Sequence, residues 1–377
     1  MISVTIKLIK MQIIDNQNKL DNFILNLQSE TVIGFDTEFV REQTYWPDLC
    51  LIQIATQNDQ FIVDIKSKLN FDCLWDIIQN PKIVKLIHSC KQDIEAIYCL
   101  SGRVVTPIFD TQMAAMFCGF KDSISYAQLV KEILDIDLDK DLQYSDWSER
   151  PLNKKKCEYA INDVKYLRKI YLHLQKKLSV SEKKKWLYEE MAFLSRPPSV
   201  ISKNLESKEE LLKKDFSEKD LIDRLRELRE NIAILANIPR KRILSDTNIN
   251  TLLEQKPNDL EYLKNILSEN KYVLEDKYLN KIIEVITKKP SKNNNVNKPI
   301  NIKLSKQQKS IVSELNKILK NISEEHKICT HLIANQSDLK NLVRNNCKNI
   351  KFLKGWRYNL FGKLAFEISS KSDNKPD

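Results

Sequence analysis

The chain has 377 residues, of which 42% are hydrophobic, and carries 61 Lys+Arg against 51 Asp+Glu for a net charge of +10, a size that suits two or three compact domains. No apolar run approaches the roughly 20 residues of a membrane span, and the first residues show no cationic segment leading into an apolar run and cleavage site, so a mature cytoplasmic protein with no membrane partner is expected. Eight cysteines without a Cys-x-x-Cys pair and four scattered histidines exclude a zinc ribbon or dithiol site, which leaves carboxylate oxygens and a hard cation such as Mg²⁺ or Mn²⁺ for any catalytic metal.

In chain order, short runs rich in Val, Ile and Phe at residues 31–35, 51–55, 60–65 and 83–88 have strand length. From about residue 91 the apolar spacing becomes helical, with helices expected at 92–100, 111–117, 126–134 and a long one from about 154 to 178. Strands followed by helices indicate an α/β or α+β domain over residues 1–198 with a central mixed sheet. Arg196-Pro197-Pro198-Ser199 stops the preceding helix, because proline lacks an N–H and biases its predecessor away from helix. Residues 215–290 read as all-helical, with Leu221, Leu225 and Leu228 on one face. A polar stretch from Pro290 to Pro299 follows as a second linker, and 300–370 form a third, all-helical unit of similar length.

Charge divides unevenly along this order. Residues 1–150 hold 14 Lys+Arg against 22 Asp+Glu, and residues 151–377 hold 47 against 29. An acidic front beside a basic back is the pattern of a metal-binding catalytic centre with a nucleic-acid tether. Compositional background, in a chain rich in Lys, Ile and Asn, is the competing account of the excess.

Three short strings carry the chemistry. In Val32-Ile33-Gly34-Phe35-Asp36-Thr37-Glu38-Phe39 the two-residue period of a strand puts Asp36 and Glu38 on one face at the end of an apolar strand. Ser89-Cys90-Lys91-Gln92-Asp93 places Asp93 in the first turn of a helix, where an acid also simply complements the helix dipole. In Tyr159-Ala160-Ile161-Asn162-Asp163 the i, i+4 spacing brings Tyr159 and Asp163 onto one helix face, as catalytic groups or as a buried hydrogen-bonded pair.

Taken together, these strings resemble the DEDD exonuclease superfamily and, within it, the ribonuclease D family. The resemblance extends to Tyr45-Trp46-Pro47, Leu51-Ile52-Gln53, Asp110-Thr111-Gln112, Asp146-Trp147 and Arg150-Pro151-Leu152, and the Tyr-x-x-x-Asp form marks the tyrosine branch, Glu158 standing where the other branch has histidine. It implies a ribonuclease H-like catalytic domain followed by two small all-α domains of the helicase-and-ribonuclease-D C-terminal type. Leu225 to Glu230, Asn237-Ile238-Pro239-Arg240 and Pro257 match the first of these, and residues 323–328 with Lys354-Gly355-Trp356-Arg357 match the second.

The implied activity is metal-dependent 3′→5′ hydrolysis of RNA to nucleoside 5′-monophosphates, on precursor transfer-RNA 3′ ends, with no protein partner. By resemblance, Asp36 is shared by two divalent cations, Mg²⁺ or Mn²⁺. Glu38 and Asp163 hold the water-activating one, Asp93 holds the second directly or through water, and Tyr159 orients the attacking water. Phe39 and Tyr45 are expected to stack on the terminal bases and Gln53 to touch the ribose, with core packing the competing reading for Phe39 and Gln53; Arg240, Lys241, Arg242, Lys354 and Arg357 are expected to contact phosphates, with a solvated basic face the competing reading. A DNA 3′→5′ exonuclease and a non-catalytic RNA-binding scaffold are the alternatives; a nucleotide-binding regulator is disfavoured because five glycines leave no phosphate loop.

Overall fold

The computed structural model describes residues 11–139, 142, 145–178, 182–197, 221–268, 272–288, 304–344, 347 and 349–372. The first unit mixes strands and helices: β1 (Met11–Ile14), α1 (Gln17–Leu27), β2 (Val32–Val40), β3 (Asp48–Ala55), β4 (Gln60–Asp64), α2 (Asp72–Gln79), β5 (Val84–Ile87), α3 (Lys91–Ser101) and β6 (Ile108–Asp110). Helices α4 (Thr111–Phe117), α5 (Tyr126–Leu134), α6 (Lys154–Lys165), α7 (Leu167–Leu178) and α8 (Lys183–Leu194) follow. The sheet runs β1-β4-β3-β2-β5-β6, antiparallel across β2–β3 and β3–β4 and parallel elsewhere. This is the mixed sheet with covering helices expected from the strand-then-helix order. β1, α1, α2 and β6 had not been expected; they are short or, like α1, interrupted by asparagines, whereas α8 ends at Leu194, just before the stop expected from Arg196-Pro197.

The expected single helix from 154 to 178 is instead two, α6 and α7, separated at Tyr166 (φ −105°, ψ −3°). There the Tyr166 N–H donates to the Tyr126 hydroxyl at 3.1 Å. A side chain that takes a backbone donor away from the helical ladder is a recognised cause of a kink.

Strand β2 positions the site. Ile33 and Phe35 are fully buried and join the main core with Phe23, Leu74 and Leu86. Alternation then turns Gly34, Asp36 and Glu38 to the other face, toward α6. Gly34 is needed there: a Cβ would lie 2.9 Å from the Val164 carbonyl oxygen and 3.3 Å from Ala55 Cβ. Its absence lets the end of α6 lie against the strand, so that Asp163 reaches the carboxylates of β2.

Two helical units complete the described chain. Leu221–Ala236, Arg240–Ile243, Asp246–Gln255, Leu260–Ile266 and Asp276–Thr287 enclose a core of Leu225, Leu228, Ile232, Leu252 and Ile282. Lys306–His326, Thr330–Ile333, Gln336–Leu342 and the turns up to Ser372 form the other. In both units the first described helix is long and ends at a residue of positive φ, Asn237 (52°) or Lys327 (49°). A four-residue helix comes next, and then a helix capped by a side chain, Ser245 or Asn335. That shared local path gives physical content to the likeness suspected from their lengths. The polar stretch 290–299 lies outside the described residues.

The units attach differently. The first has its own core, which takes in Tyr45 and Trp46 from the loop between β2 and β3. The last is continuous with the catalytic core. Trp356 stacks on Trp186 of α8 (centroids 4.9 Å apart, planes at 11°), and its indole N–H donates to Glu190 at 3.0 Å. Cys329 donates to the Phe120 carbonyl at 3.2 Å.

Candidate active site

Asp36, Glu38 and Asp163 each offer a carboxylate oxygen within 4.8 Å of the others. Asp93, at the start of α3, is buried at 7% exposure and accepts the Thr37 hydroxyl proton at 2.5 Å. Thr37 projects from the opposite face of β2 to its two acidic neighbours, so one strand touches all the other elements of the site. No Lys or Arg among the described residues pairs with any of the four acids.

Electrostatics follow from that crowding. Burial, and then Asp93, Asp163 and Glu38, push the Asp36 carboxyl well above its usual range. Glu38 is pushed up to about 9 by burial, then by Asp163 and Asp93. Burial lifts Asp93 to about 7, and burial followed by Asp93 lifts Asp163 to about 7. Like-charged carboxylates held this close without a cation resist ionisation. An all-oxygen donor set of this kind fits a divalent cation such as Mg²⁺ or Mn²⁺. Tyr159, one turn before Asp163 on α6, tilts against Trp147 (5.9 Å, 36°), and burial, then Asp163 and Glu38, hold its hydroxyl proton more tightly than usual.

The roles of the supporting residues had not been legible. The Asp110 carboxylate accepts four backbone N–H groups, from Ser89 (3.2 Å), Cys90 (3.0 Å), Gln112 (2.9 Å) and Met113 (3.0 Å). It thereby clamps the turn at Ser89 (φ 63°) from which α3 and Asp93 emerge. Arg41 grips Glu95 of α3 with both terminal nitrogens at 3.0 Å. Arg150, one of the motif residues, forks onto Asp64 (2.8 and 2.6 Å) and braces the sheet. The Asp-Thr-Gln triplet was the one available signal, since an Asp before a helix start is a common cap.

Several expected substrate contacts fall elsewhere. Gln53 pairs with Asp36 across the β2–β3 ladder but is fully buried, so contact with a ribose does not stand. Tyr45 is 7% exposed inside the core of the first helical unit, and its hydroxyl donates to Glu230 at 2.6 Å, so it is not available to stack on a base. Arg357 pairs with Glu190 and donates to the Leu332 carbonyl at 2.6 Å, which makes it part of a docking contact. Arg242 donates to Gln43, and Arg240 lies 3.6 Å from Glu230. Lys241 and Lys354 are exposed, and Phe39 is half-buried against the main core near the end of β2.

Comparison with known proteins bears on the family and the fold. A family profile described as 3′-5′ exonuclease matches residues 11–179, and one described as HRDC domain matches residues 218–286. A ribonuclease D from Bartonella henselae is 35% identical over 369 residues, covering 95% of this chain and 90% of the relative. One from Gluconacetobacter diazotrophicus is 31% identical over 94% of this chain and 92% of its own length. The crystal structure of Escherichia coli RNase D superposes with a TM-score of 0.77 over 96% of this chain and 99% of that one at 21% identity, a likeness of fold. With full-length relatives above 30% identity and an exonuclease unit followed by helical domains, the chain belongs to the ribonuclease D family of 3′→5′ exoribonucleases.

Proposed function

We propose that this exoribonuclease trims precursor transfer-RNA 3′ ends in the cytoplasm, releasing nucleoside 5′-monophosphates, with Asp36, Glu38, Asp93 and Asp163 holding two divalent cations, Mg²⁺ or Mn²⁺, and Tyr159 beside them. The observation that carries the reading is the convergence of three carboxylates within 4.8 Å, with Asp93 fixed by Thr37 and no cationic side chain among the described residues to neutralise them. Cations bound there would neutralise the scissile phosphate and lower the pKa of a bound water.

The chain's own groups do the rest. Asp36 and Glu38, fixed two residues apart on a strand, and Asp163, on a helix packed against that strand through Gly34, define a rigid acidic floor. The Tyr159 hydroxyl keeps its proton, so it orients the attacking water by hydrogen bonding and does not act as a base. Phe39 is the side chain we assign to contact with the terminal base, and Arg240, Lys241 and Lys354 are assigned to phosphates farther along the RNA.

A transfer-RNA precursor with a 3′ extension and a DNA oligonucleotide of matching sequence, digested side by side with Mn²⁺, test the proposal. Stepwise release of 5′-monophosphates from the RNA, abolished in Asp36→Ala and Asp163→Ala, is expected. Residual activity above about one tenth of wild type in either variant would overturn the ligand assignment, since metal ligation and charge stabilisation each contribute several kcal/mol. Faster digestion of the DNA would overturn the substrate.

A further inference from the structure

The loop between β2 and β3, residues 41–47, leaves the site just after Glu38 and is held from two sides. On the catalytic side, Arg41 grips Glu95, two residues beyond Asp93 on the first turns of α3 (both contacts 3.0 Å). Arg41 also donates its Nε proton to the Tyr45 carbonyl at 2.9 Å and lies over the Tyr45 ring at 5.9 Å. On the other side, Tyr45 is buried in the core of the first helical unit, where its hydroxyl donates to Glu230 at 2.6 Å. The Asn237 side chain accepts the Trp46 N–H at 3.0 Å.

We propose that Glu230 is a positioning residue for hydrolysis, acting through Tyr45 and Arg41 on the helix that carries Asp93. The inference rests on the exoribonuclease reading and extends it, by giving the first helical unit a part in the chemistry beyond any in holding RNA. The physical reason lies in the loop. Its seven residues contribute no rung to the ladder between β2 and β3, so their path is set by side-chain contacts, and the deepest of these run to the helical unit. A phenol donating to a carboxylate is a short, charge-assisted bond, and here it is three-quarters or more enclosed, Tyr45 being 7% exposed and the Glu230 side chain 25% exposed. The Arg41–Glu95 fork fixes direction as well as distance. Releasing Tyr45 frees the backbone carbonyl that steadies Arg41, and the first turn of α3 loses its outer brace. Thr37 remains as the inner one.

The test uses the full chain and a three-nucleotide RNA, which offers few phosphates to the basic residues of the helical unit. Glu230→Ala and Tyr45→Phe are each expected to lower kcat about tenfold, the effect of ~1.4 kcal/mol in the barrier, with KM unchanged. Because both remove the same bond, the double variant should lose no more than either single one. Glu230→Gln keeps an oxygen acceptor and should restore most of the rate. A second readout needs neither RNA nor metal: amide hydrogen exchange at residues 91–95 should quicken about tenfold in Glu230→Ala, following the same energy of local opening. Unchanged kcat and unchanged exchange would overturn the proposal, as would losses that add in the double variant. A loss confined to KM on long RNA would assign Glu230 to RNA binding instead. If the wild-type chain fails to cleave the trinucleotide, the exoribonuclease reading fails, while the exchange measurement still decides the brace.

Discussion

Replacing Asp163 by Asn should make the metal-free protein more stable at pH 8. The Asp163 carboxyl is lifted from 3.8 to about 7, first by burial and then by Asp93. A folded-state pKa above the unfolded value means that the folded chain binds more protons between about pH 4 and 7, so stability falls as pH rises through that window. Three units at about 1.4 kcal/mol each give a ceiling of ~4 kcal/mol, and the partial solvent exposure of Asp163 reduces this to about 2 kcal/mol. For a domain of this size that corresponds to a Tm rise of about 4–8 °C. Calorimetry in EDTA at pH 8 and pH 5 measures it. The gap between variant and wild type should narrow at pH 5 and vanish near pH 4, and adding Mn²⁺ should stabilise wild type more than the variant. A variant that melts no higher than wild type at pH 8 in EDTA would refute the claim that the acids are held together at a cost.

Gln53→Leu should also stabilise the metal-free chain, because both atoms of its buried amide lack a hydrogen-bond partner and such a group costs about 1–3 kcal/mol; chemical denaturation that shows lower stability would mean that a buried water satisfies it. Trp356→Ala should destabilise by about 3–5 kcal/mol and lower the melting of the catalytic unit too, since Trp186 and Phe117 pack on that indole; a loss confined to the last helices, read by hydrogen exchange, would contradict a shared core. Tyr159→Phe should reduce kcat on the order of 10²-fold with little change in melting temperature, and a full rate would move the residue to a packing role. Lys241→Ala, at an exposed site, should lower the salt slope of RNA binding by roughly one if it meets a phosphate, and an unchanged slope would remove it from the interface.

Local periodicity made the carboxylate cluster legible. Asp36 and Glu38 at the end of an apolar run, and Tyr159 and Asp163 four apart on a helix, follow from repeats of 2 and 3.6 residues that hold wherever the segment sits. The strand-then-helix order and the leucine-rich helical faces are equally local, and they sufficed for the fold class. What the tertiary structure decided concerns partners distant in the chain. That Thr37 holds Asp93, that Asp110 gathers the turn before α3, and that Gly34 admits the end of α6 depend on elements brought together only by folding. For the same reason Tyr45, Gln53 and Arg357 could be mistaken for substrate contacts. A polar or aromatic residue near a motif looks alike in sequence whether it faces the cleft or is enclosed by Glu230, the sheet or Glu190, because burial is set by which surfaces meet, and that is a property of the packed molecule.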